Sequence, residues 1–193
     1  MQQLRINDDK TEIIPVGTKA KLKYVPQTYS LTLSGSTIPF SYKVRNLGVY
    51  LDNNLSMDQH VNLLSRSDFL ELRRIGHLGR HLSVDATNKL VAYFVLSRLD
   101  YCNSLLADLP ENRLDRLQRV QNNAARLVLG RRGRDYAKPL LRSLHWLPVR
   151  ARIEYKISTL CYSSRDASAF LLTSLIFSLS INLPALCVLQ TLV

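Results

Sequence analysis

The chain has 193 residues, of which 46% are hydrophobic, and its 26 Lys and Arg outnumber its 15 Asp and Glu to give a formal net charge of +11. This length allows one ordinary domain, or a domain with a tail, and the apolar share excludes a disordered chain. The 3 cysteines include no CxxC pair, so we expect a reducing compartment and no disulfide framework. The N-terminal MQQLRINDDKTE has no apolar stretch, so we expect no cleaved secretory signal.

The first strand is predicted close to the N-terminus. The residues NDDK at 7–10 lead into a short strand around Glu12 to Val16. Asp8 and Asp9 could instead form a metal-binding carboxylate pair for phosphoryl transfer. The turn is the preferred interpretation, because Asn, Asp, Asp and Lys in succession are turn residues.

A hairpin and a third strand are predicted next. In LTLSGSTIPF at 31–40, apolar residues alternate with serine and threonine on both sides of Gly35. This pattern predicts two strands joined by a turn at Ser34-Gly35-Ser36. Val44 to Leu51 predicts a third strand that Gly48 interrupts. A glycine within a strand indicates either the close approach of a backbone or ligand, or a simple bulge.

Apolar residues take helical spacing from Ser56 onward. The first predicted helix ends in the region of Gly76 and Gly79, and its apolar side consists of Met57, Val61, Leu64, Phe69 and Leu72. The second has Ser83 as its N-cap and runs towards Cys102, which we interpret as a small core residue. In a later helical stretch, we expect four apolar residues to face a core: Val149, Ile153, Ile157 and Leu160.

Pro110 to Arg134 predicts an amphipathic helix followed by a basic loop. Pro110 suits the first helical position, and Gly130 is placed to end the helix in a left-handed cap. The apolar stripe consists of Leu117, Val120, Ala124, Leu127 and Val128, with Leu114 at its edge. Basic residues occupy the other side and the loop. We predict nucleic-acid contacts for Arg116, Arg119, Arg126, Arg131 and Arg132.

Positive charge is concentrated around this helix. Residues 113–156 contain twelve Lys or Arg and three Asp or Glu, a net +9 of the chain's +11. Arginines on an exposed helix are often simply solvated, but charge this concentrated indicates a surface for a polyanion, since neutralising phosphates releases counterions. Arginine also favours forked phosphate contacts. We therefore expect a nucleic-acid partner bound with little sequence preference.

Several motifs together resemble a known family. They are NDDKTE at 7–12, VRNLGVYLD at 44–52, SRLDYCNSLL at 97–106, RLQRVQNNAARLV at 116–128 and LRSLHWLPVRARIEYK at 141–156. In this order and spacing they resemble the reverse transcriptase, an RNA-directed DNA polymerase, of non-LTR retrotransposons of the long-interspersed-element type. The resemblance extends from about Ile6 to Tyr155, roughly three-quarters of the chain.

The resemblance implies where the segments of this chain would lie within such a polymerase. The segment NDDKTE corresponds to the part that follows the catalytic centre of the palm, and Lys10 would act there electrostatically, near the incoming nucleotide. Gly48 would lie in a late palm motif that supports the primer end. The helices from Ser83 onward would belong to the thumb and the connecting region, which hold the template–primer duplex.

The sequence departs from this family at its catalytic residues. Reverse transcriptases hold two Mg²⁺ ions with an aromatic-X-Asp-Asp turn and a further aspartate, and neither is present. We therefore expect no catalytic residues, no metal site and no cofactor, in a fragment whose fingers and most of whose palm would lie before Met1. His60, His77 and His81 are weak evidence for a metal site, and solvated histidines are the favoured interpretation.

The C-terminal tail differs from the rest of the chain in its composition. The resemblance ends near Tyr162, and residues 167–193 carry no charged side chain. This length satisfies the rule for a membrane span, although Asn182, Pro184 and Gln190 make it a poor one. An out-of-frame or intron-derived segment would have the same character. The alternatives to a nucleic-acid-binding fragment are thus a small basic protein anchored in a membrane by residues 167–193, and a retroelement remnant without function.

The sequence thus predicts an α+β chain, with short antiparallel strands and a hairpin at the N-terminal end followed by a mainly helical, thumb-like bundle. We expect the end of a palm in residues 1–55, a helical thumb and connection in 56–162, and a divergent apolar tail in 163–193. The expected function is that of a truncated, catalytically incomplete reverse transcriptase that retains template–primer binding. A cytoplasmic or nuclear location follows from it, with membrane attachment as the alternative.

Overall fold

The computed structural model describes residues 7, 10–25, 30–33, 35–131, 135–163 and 187–190. The chain divides into two compact units, one of residues 1–59 with 171–193 and the other of residues 60–170. Short antiparallel strand pairs lie towards the N-terminus, and mostly helical segments follow. The predicted α+β class is therefore confirmed.

The first unit contains β1 (Glu12–Pro15) and β6 (Cys187–Gln190), which pair antiparallel. β1 confirms the strand expected after the turn residues, whereas no pattern indicated a strand within the apolar tail. Ile13 is fully buried, and its carbonyl accepts a hydrogen bond of 2.8 Å from the N–H of Ser41. A single helical turn, α1 (Lys19–Leu22), follows β1.

The predicted hairpin forms from β2 (Ser30–Leu33) and β3 (Ser36–Pro39). Leu33 lies opposite Ser36, and Gly35 has a φ of +94°. Glycine adopts such a conformation without steric cost, so the Ser-Gly-Ser sequence was a sound signal for the turn.

The next hairpin consists of β4 (Lys43–Asn46) and β5 (Val49–Asp52). The prediction of one strand across this stretch is wrong, because Leu47 and Gly48 both have positive φ, +44° and +85°, and reverse the chain direction. Positive φ at two successive residues is the geometry of a tight hairpin turn, but leucine gives no signal for it. Gly48 is therefore a turn residue and not an interruption within a strand.

The predicted helix after Ser56 is α2 (Asp58–Leu78). The carboxylate of Asp52 accepts hydrogen bonds from the Ser56 hydroxyl and, at 3.2 Å, from the N–H of Met57. These bonds fix the chain just before the helix begins. α2 ends at Leu78, within the predicted region of Gly76 and Gly79, and a 3₁₀ turn follows.

In the second unit, α3 (Val84–Val91) confirms the predicted N-cap. The hydroxyl of Ser83 accepts a 3.2 Å hydrogen bond from the first turn. A π-helical segment, Ala92–Leu96, connects α3 to α4 (Ser97–Asp100). Cys102 lies beyond α4 with a φ of +52° and is half-buried. The interpretation of Cys102 as a core residue on a helix is therefore wrong.

α5 (Glu111–Val128) confirms the predicted amphipathic helix and packs against α3, α6 (Ala137–Ser143) and α7 (Val149–Ser163). Pro110 precedes the helix as its N-cap residue, one position earlier than predicted. The buried side chains of α5 are Leu114, Leu117, Val120, Gln121, Ala124, Ala125 and Val128. The predicted stripe therefore faces the core, apart from the half-buried Leu127.

The left-handed cap predicted for α5 is also confirmed. Gly130 has a φ of +60°, and its N–H bonds to the carbonyl of Leu127 at 3.3 Å. The N–H of Arg131 bonds to the carbonyl of Arg126 at 2.8 Å. This pair of bonds is the Schellman motif, which satisfies carbonyls that the helix end would otherwise leave free.

A buried amide network joins α5 to the start of α7. Gln121 is fully buried, and its Nε2 donates to the carbonyl of Leu147 at 2.8 Å. Gln118 donates to the side chains of Gln121 and Asn122 at 2.9 Å, and its Oε1 accepts from the N–H of Val149 at 2.8 Å. The network therefore supplies a partner to the first backbone N–H of α7, which a helix cannot satisfy internally.

Two ion pairs fix α7 further. Arg152 donates to both carboxylate oxygens of Asp100 on α4, with Nε at 2.7 Å from Oδ1. Arg150 pairs with Glu111 at the start of α5. A two-pronged arginine–carboxylate contact restrains orientation as well as distance. These arginines therefore stabilise the packing of α7 against its neighbours.

The apolar tail is described over only a short length. Of residues 167–193 the structure describes Cys187–Gln190, as the strand β6. Among the helices in the described part of the chain, none is long and apolar enough to cross a membrane.

Gln121→Met tests the amide network. Methionine keeps the length and approximate volume of the side chain but removes the bonds to Leu147 and Gln118. We expect the free energy of unfolding, measured by urea denaturation, to fall by about 1–2 kcal/mol. Asn112→Ala, at an exposed position of the same helix, should change it by less than about 0.5 kcal/mol. Equal effects of both substitutions would show that the network contributes nothing specific.

Candidate nucleic-acid interface

The exposed side of α5 carries the predicted arginines because its other side is buried. Leu117, Val120 and Ala124 are fully buried, so the residues on the opposite flank point away from the core. Arg116 and Arg119 are both exposed there, one helical turn apart.

These two arginines line a groove between α5 and α2. The groove has a volume of about 430 Å³, and its walls are formed by Asn62, Ser65, Arg66, Phe69, Arg116 and Arg119. Among the described residues, the lining contains three arginines and no carboxylate. It therefore presents concentrated positive charge in a concave surface, where field lines are focused.

The two helices run in the same direction along this groove. Arg116 Nη1 donates to Asn62 Oδ1, which joins the early part of each helix. Further along, a Cβ added at Gly76 would lie 3.5 Å from Leu127 Cδ1, so the later parts also approach each other. The groove is thus bounded by two rigid elements, and the bond to Asn62 orients the guanidinium of Arg116.

Arg66 was not identified from the sequence, although it is a full member of the lining. It is exposed, and neither it nor Arg119 has a polar side-chain partner among the described residues. The spacing of Asn62, Arg66 and Phe69 at i, i+4 and i+7 places them on one face of α2. That spacing was the available signal, but it identifies a groove only when the position of α5 is known.

Arg126, a third predicted contact, has a different environment. Its Nε and Nη2 donate to the carbonyl of Asp135 at 3.2 and 3.1 Å, and its Nη1 donates to Asn123 Oδ1 at 3.3 Å. Arg126 therefore ties the chain after α5 back to the helix, and less of its hydrogen-bonding capacity remains for a ligand.

The other predicted contacts lie outside the groove lining. Arg131 is exposed just beyond the helix cap, and Arg132 lies outside the described residues. Lys10 is exposed in a turn and Gly48 is exposed in the β4–β5 turn. These last two belong to the first unit, whereas the groove belongs to the second. The structure thus brings together Arg116 and Arg119 of the predicted set and adds Arg66.

A buried carboxyl group, that of Asp68, lies on α2 away from the groove lining. Asp68 is fully buried, and neither carboxylate oxygen has a hydrogen-bond partner among the described residues. The Nε of Arg98 is 3.5 Å from Oδ1, while Nη2 of Arg98 donates to Ser67 at 2.8 Å. Burial raises the pKa of Asp68 to about 7; Arg98 opposes this shift and Glu71 adds to it.

His60, His77 and His81, the histidines weighed as metal ligands in the sequence, lie in different environments. In the part of the chain that the structure describes, no three His, Cys, Asp or Glu residues come together to hold a metal ion. His60 is buried, and this burial lowers its pKa. The interpretation of His60 as a solvated histidine is therefore wrong, whereas His77 and His81 are exposed.

No protein family, no curated protein and no solved structure matches this chain. The resemblance to retrotransposon reverse transcriptases stays a prediction based on the sequence motifs.

The raised pKa of Asp68 predicts that stability falls as the pH rises from about 4 to about 7. In this window the folded protein holds a proton on Asp68 that the unfolded chain releases. The loss is complete above about pH 7 and amounts to at most about 4 kcal/mol. Asp68 should therefore contribute a decrease in the urea midpoint from about pH 5 to about pH 8, and the lowered pKa of His60 adds an increase of its own to the native profile.

Asp68→Asn should remove this decrease of the urea midpoint with pH, because asparagine does not ionise. Asp115→Asn, at an exposed position of α5, is the matched control and should preserve it. A pH profile that Asp68→Asn leaves unchanged would show that this carboxyl group is not the source.

Proposed function

We propose that this chain binds nucleic acid through the phosphate backbone, with the groove between α2 and α5 as its contact surface. The observation that carries the proposal is the convergence of Arg66, Arg116 and Arg119 on one concave surface, to which no described residue contributes a carboxylate. Phosphate is the anion that planar guanidinium groups bind in a forked geometry, and nucleic acid supplies it at regular spacing.

The surroundings of the arginines favour a ligand over simple solvation. Arg98, Arg150 and Arg152 in the same unit each pair with a carboxylate. Arg66 and Arg119 have no such partner among the described residues, yet they lie on facing helices. Like charges held in proximity repel each other, and a bound polyanion would relieve this repulsion.

We further propose that the chain is a fragment of a non-LTR retrotransposon reverse transcriptase that retains template–primer binding. The motifs support this assignment, and two of them coincide with α5 and with the start of α7. The sequence lacks the aromatic-X-Asp-Asp turn, so in this proposal the chain does not polymerise by itself, needs no Mg²⁺ and acts in the cytoplasm or nucleus. Binding depends little on base sequence, because phosphate contacts position a protein without specifying sequence.

Neutralising the groove arginines should weaken binding and its dependence on salt. Arg66→Gln and Arg119→Gln each remove one phosphate contact, so the slope of log affinity against log salt should decrease in magnitude by roughly 0.7–0.9 per substitution. Fluorescence anisotropy of a labelled oligonucleotide, repeated over a range of salt concentrations and with several base sequences, measures both quantities.

Arg74→Gln provides the charge-matched control. Arg74 is on α2 but pairs with Glu71 at 2.8 Å and does not line the groove. This variant should keep the native slope. A slope that falls equally in all three variants would indicate that net charge alone drives binding, and no measurable binding at low salt would refute the proposal.

A further inference from the structure

Among the described residues of the groove lining, Phe69 is the one aromatic residue. The hydrophobic pattern of α2 assigned it to the core, but it is only half-buried. By contrast, Leu64 and Leu72, which share its predicted apolar side, are buried. Part of the Phe69 side chain is therefore accessible in a surface that is otherwise polar and positively charged.

The neighbours of Phe69 are suited to phosphates. Arg66 precedes it by one helical turn on α2, and Arg116 and Arg119 lie across the groove on α5. An apolar ring between cationic side chains would add little to the binding of a simple inorganic anion. It complements a ligand that joins a flat apolar face to a phosphate, and an unpaired nucleotide has both features.

We propose that the groove binds single-stranded nucleic acid, with one unpaired base stacked against Phe69 and the adjoining phosphates on the arginines. This inference rests on the proposed function, and it specifies an unpaired stretch of a template, and not the paired template–primer duplex, as the preferred substrate. In a duplex the bases stack on each other and are not available to Phe69, so a duplex can use only the arginines. The volume of about 430 Å³ also lies in the range of sites for small ligands, which suits one extruded nucleotide.

The test compares a labelled single strand of about ten thymidines with a duplex of the same length, using the full-length chain. Phe69→Ala should weaken binding of the single strand by roughly five- to a hundredfold, because stacking contributes about 1–3 kcal/mol per base. Duplex binding should change less than about twofold, since it depends on phosphate contacts. Phe69→Tyr keeps an aromatic ring and should bind the single strand like the native protein.

Two controls separate stacking from folding and from apolar contact. Phe69→Leu keeps an apolar side chain but lacks a ring, so it should lose affinity even if Phe69→Ala fails to fold. Leu70→Ala removes a neighbouring apolar side chain that is 54% exposed and does not line the groove, and it should bind normally. Thermal melting of each variant shows whether the fold is retained.

A photochemical readout locates the base directly. A single strand carrying 5-iodouracil, irradiated in the complex, should form a crosslink on the peptide that contains Phe69, and Phe69→Leu should abolish it. If Phe69→Ala and Phe69→Leu leave single-strand affinity unchanged while the arginine variants reduce it, the stacking site is refuted and phosphate binding stands. If no oligonucleotide binds at low salt, the proposed function itself fails.

Discussion

The burial of one face of α5 is the constraint on which the second unit depends. Leu117, Val120 and Ala124 are inaccessible to solvent, and the helix packs against α3, α6 and α7 on that side. A helix whose apolar side is fixed in this way has no rotational freedom, so its polar side is fixed as well. The exposure of Arg116 and Arg119 beside α2 is therefore a consequence of the core. A change that loosened the core would also displace the candidate site.

Polar contacts then divide the arginines of this unit into two groups. Arg150 and Arg152 hold α7 against α5 and α4, and Arg126 holds the chain that leaves α5. These side chains have structural partners. The net charge of the chain therefore overestimates how many arginines are available to a ligand. Arg66 and Arg119 of the groove belong to the other group, and only the contacts of the folded chain distinguish them from the first.

The sequence predicted those features that are determined locally. The stripe of α5, the N-cap at Ser83 and the left-handed cap at Gly130 follow from spacing and from single-residue backbone preferences. The turn at Leu47 was missed because leucine rarely adopts a positive φ and so gives no turn signal. The burial of Gln121 and the accessibility of Phe69 could not be predicted, because each depends on residues distant in the chain. The same limit explains why Arg116 and Arg119 were found while Arg66, across the groove, was missed.

The distribution of the acids explains why the groove keeps its charge. Glu71, Asp85, Asp100 and Glu111 each pair with a Lys or Arg that does not line the groove. Asp68 is the acid nearest in sequence to Phe69, but it is buried beside Arg98, and its pKa of about 7 leaves it only partly ionised near neutral pH. Within the described residues, Arg66 and Arg119 are thus left without a carboxylate. In the proposed function, the phosphate backbone of a bound nucleic acid supplies their counterion.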